Sequence, residues 1–407
     1  MPMFDTGGTV IRKTRHNELP ASIKHYAAYF VLLAFCTLMF VPLISSLSVI
    51  GGDYKLHLQW AEEIEKSHII NLPHPLYHVL VILAKSILSI NYAESSTIVV
   101  VASIFFLAVL NYRILIANAS PSIATILSLS LLIVTPIQLF YFIDHHLYLG
   151  YIGISIYHSP TMLLLKPLSL LVFCYALRSA DGPAYEWPIG VALALSLFFC
   201  GISKPNFLIV VLPAFLAFLF ITNRLRILLS RAHIYIWFFL PIFAVLGLQF
   251  FQTFILQDIS KVTKDAENHI VLMPLETVSH YSEFLLPKLL LSVAFPLVTL
   301  LLYTREFAKD DRLIFSSCCL ITGSAFMYLF AESGNRIYHG NFWWSAQIGL
   351  YLTFIFSIDL LIRNYKEFTN SKTRAIKYLA CFVVFFLHLG FGLFYYKQEL
   401  VNYSKFW

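Results

Sequence analysis

Apolar runs recur along the whole chain, and no stretch between them is long enough for a soluble domain of ordinary size. They cover residues 26–47, 76–90, 97–116, 123–142, 162–177, 187–200, 207–221, 234–254, 284–303, 313–330, 342–362 and 376–394. In hydrocarbon every backbone N–H and C=O must be satisfied within the chain, so such runs predict helices. The expected fold is an all-α integral membrane protein with about 11–12 transmembrane helices, in keeping with 59% hydrophobic residues, 12% charged residues and a mean hydropathy of +0.75. The first run is too long for a signal-peptide core and lacks an Ala-x-Ala site, so it reads as a retained helix. All six cysteines lie in apolar segments, as small core residues rather than disulfide or zinc ligands.

Basic residues set the expected sidedness. Arg12, Lys13, Arg15 and Lys24 precede the first run, Arg224, Arg226 and Arg231 sit mid-chain, and Arg363, Lys366, Lys372 and Arg374 come late. By the positive-inside rule the N-terminus is cytoplasmic. Residues 1–25 then form a cytoplasmic segment, 26–396 the polytopic domain and 397–407 a tail, with outer loops at 48–75, 143–161, 257–283 and 331–342. An even number of crossings must separate the first two outer loops, yet three apolar runs lie between them. One of the three therefore fails to cross, and 76–90 is the candidate because it is short and carries Lys85. Eleven crossings put the C-terminus outside. A net charge of +6 spread over loops and terminus bears on topology and gives no nucleic-acid footprint.

Under this topology the unusual polar residues gather outside. Asp53 opens an amphipathic stretch in which Asp53, His57, Trp60, Ala61 and Ile64 share one helical face, opposite Lys55, Gln59, Glu62, Glu63 and Lys66. A helix on the membrane surface follows, with Asp53 either its N-cap or a general base oriented by the helix start. His74 and His78 come next. The second outer loop holds Asp144, His145, His146 and His158, and Lys166 lies two turns below His158 if the helix is continuous. Vicinal histidines beside an aspartate suit a divalent cation, but no His-x3-His or Glu-x2-His spacing accompanies them, so no metal ligand is assigned and the cofactor stays open. Lys166 is read as an anion partner, a structural ion pair or a snorkelling side chain.

Lys204 is a cation on an outer turn, or part of an ordinary turn. Glu276 and His280 lie in 257–283, a mobile lid or a plain loop. In the last outer loop Arg336 runs against the positive-inside trend, which argues for an anionic partner or for pairing with Glu332, and His339 lies nearby. Trp343 and Trp344 read as interface anchors.

A first helix followed by an outer loop with Asp53 near its start and a surface helix, then Asp144 opening a later outer loop, all on a many-helix layout, resembles the GT-C superfamily of membrane glycosyltransferases. The match is specific around Asp53 to His78 and Asp144 to Lys166. Asp53 here has no adjacent acidic partner, and no large soluble domain follows the helices. The resemblance implies a GT-C-like bundle in the plasma (inner) membrane if the source is bacterial. It further implies a polyprenyl-phosphate sugar donor entering from the lipid and a glycan, lipid or protein acceptor hydroxyl on the outer face. Transfer by inversion follows from the same analogy. Asp53 and Asp144 become the candidate catalytic carboxylates, with Asp53 as base. His57, His78, His146, His158, Lys166, Lys204, Arg336 and His339 become candidate substrate ligands, and Lys166, Lys204 and Arg336 are expected to converge on the lipid phosphate. The competing readings are a transporter or lipid flippase, and an outer-face polysaccharide polymerase or ligase.

Overall fold

A computed structural model describes residues 21–50, 52–70, 72–181, 187–252, 269–334, 337–365 and 371–402. Each apolar run falls on a helix. In chain order the main helices are α1 (Ala21–Ile50), α2 (Asp53–Ser67), α3 (Leu76–Leu88), α4 (Tyr92–Leu115), α5 (Pro121–Ile133), α6 (Pro160–Asp181), α7 (Trp187–Ser203), α8 (Asn206–Ile221) and α9 (Ala232–Phe250). They continue with α10 (Leu285–Ser292), α11 (Ala294–Leu302), α12 (Asp311–Leu329), α13 (Trp343–Arg363) and α14 (Lys372–Asn402). Seven are long and apolar enough to cross a bilayer, and α10 with α11, bent by 64°, makes an eighth span if taken as one. The chain is thus an all-α, multi-pass membrane protein.

Helices α3, α5, α7 and α8 are shorter. With 13 residues each, α3 and α5 are about 20 Å long, against a hydrocarbon core of about 30 Å. The parity argument pointed to the run at 76–90; the structure gives that run and 123–142 equally short helices.

The second half of 123–142 departs from the expected span. Pro136 lacks an N–H and pushes Thr135 out of the helical region, so α5 stops at Ile133. From there to Ser159 the chain is irregular apart from the turn Tyr141–Asp144, and most of 147–159, expected as an outer loop, is buried. Irregular backbone at such depth survives only where protein satisfies it. Thr135 exchanges contacts with His388: its N–H donates to the His388 carbonyl at 3.3 Å, and His388 Nδ1 meets its carbonyl at 2.6 Å. The Ile137 N–H donates to the Leu291 carbonyl at 3.3 Å and the Ile152 N–H to Ser292 Oγ at 3.0 Å. Ser155 donates to the carbonyl of Leu132 at 2.9 Å. The bent α10–α11 pair and α14 therefore clamp this segment in place.

Helix α13 is the buried centre of the bundle. Against it lies α12, and the approach is close enough that a Cβ at Gly349 would fall 2.5 Å from the Leu320 Cα, and one at Gly323 2.6 Å from the Ser345 carbonyl oxygen. Such small residues let helix backbones meet where lipid supplies no hydrophobic drive. Its 21 residues span about 31 Å and join two chemically different ends. At the far end Asp359, fully buried, takes Arg312 at 3.0 Å, Arg363 at 3.1 Å and Asn118 at 2.9 Å, while Asp310 pairs with both arginines. These charges neutralise one another between the ends of α12 and α13, as expected of anchors. At the near end lies α2.

Two short strands escaped the sequence reading. β1 (Ile270–Leu272) pairs antiparallel with β2 (Phe330–Glu332), joining the last two polar segments at the α2 end. His280 stacks on Tyr338 at 3.9 Å, and Tyr281 donates to the Tyr338 carbonyl at 2.8 Å. These contacts tie the described part of 257–283 to 331–342.

Candidate functional site

Helix α2 lies against the bundle through the face its sequence pattern selects: Tyr54, His57, Ala61 and Ile64 are buried. The Tyr54 hydroxyl donates to the Tyr157 carbonyl at 3.0 Å. His57 Nδ1 meets His78 Nε2 at 3.0 Å, so one ring donates and the other accepts, an arrangement two imidazolium ions could not make. Trp60 and Tyr77 close around the pair, with ring centroids 5.1 and 5.7 Å from His57. Glu65 holds the other end of the helix through Lys85 at 2.9 Å and through Tyr92.

Asp53 is the first residue inside α2, and Gly52, in the left-handed region at φ 64°, occupies the cap position. An acid in the first turn suits the helix dipole. The half-buried carboxylate acts on two groups from distant segments, His158 and Lys204. Lys204 stands in the turn between α7 and α8 and lies over the Trp344 ring, 4.3 Å from its centroid. Asn206, two residues on, donates to the Asn341 carbonyl at 2.7 Å, and Asn341 donates to Glu332 at 2.8 Å. His158 ends the irregular segment, between Tyr148 at 5.1 Å and Trp344 at 6.0 Å. Residues 53, 57, 78, 158 and 204 thus come together from four separate parts of the chain.

Burial sets the electrostatics. It lowers Lys204 to about 8, with Asp53 and Glu332 opposing the drop. It lowers His158 to about 4, and holds His57 well below the usual imidazole range, reinforced by His78, His74 and Lys204. At neutral pH His57 and His158 are therefore uncharged hydrogen-bonding groups, and Lys204 is the cation of the cluster. A carboxylate, a lysine near its titration point and neutral imidazoles can move a proton and stabilise an anion.

Other candidates lie elsewhere. Asp144 accepts from the His146 N–H at 3.1 Å and pairs with Lys288, whose side chain is fully buried and also donates to the Leu149 carbonyl at 2.9 Å. The pair ties the irregular segment to α10. Half-buried His146 is held below the usual range by burial, with Asp144 opposing. Helix α6 begins at Pro160, so His158 lies outside it and the expected shared face does not form. Lys166 turns back to the Ile154 carbonyl and sits 5.7 Å from the Tyr351 ring centroid, so of the three expected cations it is engaged away from Lys204. His339 is exposed. Arg336 lies outside the described residues. Among the described residues no group of three or more His, Cys, Asp or Glu side chains is arranged to hold a metal ion.

Sequence reading did not find Tyr148, or Trp344 as the surface carrying Lys204 and His158. Nor did it find Gln249, which holds the approach to α3 by donating to the carbonyls of Pro73 at 2.9 Å and Gly201 at 2.8 Å. All are neutral, Trp344 and Gln249 within apolar runs and Tyr148 in an expected loop, and periodicity gives them no mark. No protein-family model matches the chain, and no curated protein sequence matches it.

Proposed function

We propose that this membrane protein is a glycosyltransferase that moves a sugar from a polyprenyl-phosphate donor to an acceptor hydroxyl at the α2 end of the bundle. One observation supports the reading above the others: Asp53 and Lys204, 151 positions apart by subtraction of their numbers, act on the same buried histidine at the α2 end of the bundle. Asp53 would take the proton from the acceptor hydroxyl as its oxygen bonds to the anomeric carbon. The bond from that carbon to the donor phosphate oxygen breaks, and the lipid phosphate leaves as an anion facing Lys204. Attack opposite the leaving group gives inversion.

The main rival was a transporter or flippase, suggested by Lys85 and Lys166 in apolar runs and by Pro-broken helices. Lys85 is engaged by Glu65 and Lys166 by the Ile154 carbonyl, so these lysines call for no passing substrate. The test is incubation of the purified protein with a panel of polyprenyl-phosphate hexoses and pentoses in the presence of hydroxyl acceptors. Release of free polyprenyl phosphate with glycosylated product is the expected result. Movement of intact donor across a proteoliposome bilayer without bond cleavage would instead favour the flippase.

A further inference from the structure

Lys204 carries the positive charge of the site, and two carboxylates share it. Among the described residues the carboxylates acting on Lys204 are Asp53, from α2, and Glu332, the last residue of β2. His57 and His158 face it as well, both uncharged at neutral pH, and the Trp344 ring lies 4.3 Å away. Asp53 serves as the base, which leaves Glu332 without a part in the transfer.

Hydrogen bonds from separate segments fix Glu332. Its backbone lies in the two-stranded pair opposite Ile270. The next residue is held on both sides: the Ser333 N–H donates to the His269 carbonyl at 2.9 Å, and the His269 N–H to Ser333 Oγ at 2.9 Å. The Glu332 carboxylate accepts from Asn341 Nδ2 at 2.8 Å, and the Asn341 carbonyl accepts from Asn206 Nδ2 at 2.7 Å. Asn206 opens α8 two residues past Lys204. One chain of hydrogen bonds therefore runs from β2, through the residues just before α13, to the turn that carries Lys204.

The proposed reaction gives this arrangement a use. As Asp53 takes the acceptor's proton it loses its negative charge, at the moment the leaving phosphate needs Lys204 as a cation. A second carboxylate that takes no proton in the step keeps favouring the ammonium throughout. An ammonium has three N–H donors, so it can face a carboxylate and a phosphate together. We propose that Glu332 is a positioning residue that holds Lys204 in place as a cation while Asp53 gains and loses its proton. The phosphate's part in this rests on the glycosyl-transfer reading; the hold on Lys204 does not.

Two measurements on the purified full chain test it. The first needs no lipid: pulse acetylation of Lys204 with acetic anhydride from about pH 6 to 10, read by mass spectrometry, reports where the amine loses its proton. The second is the affinity for polyprenyl phosphate over the same range. Glu332→Gln keeps an acceptor for Asn341 and removes the charge, so both midpoints should move down by about half a pH unit or more. Affinity at pH 6.5, where Lys204 stays protonated, should hold within about twofold, and Glu332→Asp should restore both midpoints. Midpoints that Glu332→Gln leaves in place, or an equal loss of affinity at every pH, would overturn the proposal and leave Glu332 as an acceptor for Asn341. If acetylation shifts as expected but the unsubstituted protein binds no polyprenyl phosphate, the hold on Lys204 stands and the glycosyl-transfer reading falls. Thermal melts accompany each variant. Should Glu332→Gln fail to fold, Glu332→Thr, uncharged and suited to a strand, decides by the same midpoints.

Discussion

Nδ1 of His57 and Nε2 of His78 meet at 3.0 Å, and this contact between two neutral rings fixes the surface helix to the start of α3. Because His57 is held well below its ordinary 6.5, the folded protein binds a proton there less readily than an unfolded chain. The resulting stability is present above about pH 6.5 and is lost as pH falls below it, by about 1.4 kcal/mol per pH unit until the folded group titrates. Tm should therefore fall between pH 7 and pH 5, and His57→Phe should make that dependence shallower, with buried His158 supplying part of what is left. A dependence that His57→Phe leaves unchanged would show that the pair does not form.

Lys204 is the cation whose charge the proposed site needs, and burial brings it to about 8. Its protonated form dominates below that pH, so binding of polyprenyl phosphate should weaken as pH rises through about 8. Lys204→Met should lower affinity by roughly tenfold to a hundredfold, the scale of one charge-assisted hydrogen bond. Lys204→Arg keeps its charge to far higher pH and should bind with a flat profile. Direct titration with the lipid phosphate at pH 6.5 and 9 checks all three.

Asp144 was a catalytic candidate in the sequence, and its pairing with buried Lys288 gives it a structural task. Breaking such a pair leaves an uncompensated charge, so Asp144→Ala should destabilise by about 3–5 kcal/mol. The double substitution Asp144→Leu with Lys288→Leu should recover most of that loss. Denaturation midpoints of the single and double variants check it. A stable Asp144→Ala protein that has lost transfer would return Asp144 to the chemistry.

Much of the fold was legible because helix periodicity and apolar length are local signals. The buried face of α2 follows directly from the spacing of His57, Ala61 and Ile64, and Asn91 with Glu94 forms the capping box that starts α4. Sorting residues by expected side of the membrane also gathered Asp53, His57, His78, His158 and Lys204 into one group. What stayed hidden depends on partners far along the chain. Nothing near Asp144 announces Lys288, and the stretch after Ile133 reads as a helix until His388 and Leu291 are seen to satisfy its backbone. Glu399 falls in the stretch expected as a C-terminal tail, whereas α14 runs on to Asn402 and buries it.

The central claim is that Asp53 supplies the base while Lys204 faces the phosphate, and one variant separates these roles. Asp53→Asn keeps the size and position of the side chain at the start of α2 and removes its basicity. Measured side by side on folded protein, donor binding should stay within about threefold of normal. Transfer to the acceptor, followed in single turnovers, should fall by about two orders of magnitude or more. Near-normal transfer by a folded Asp53→Asn protein would contradict the account and remove Asp53 from the mechanism.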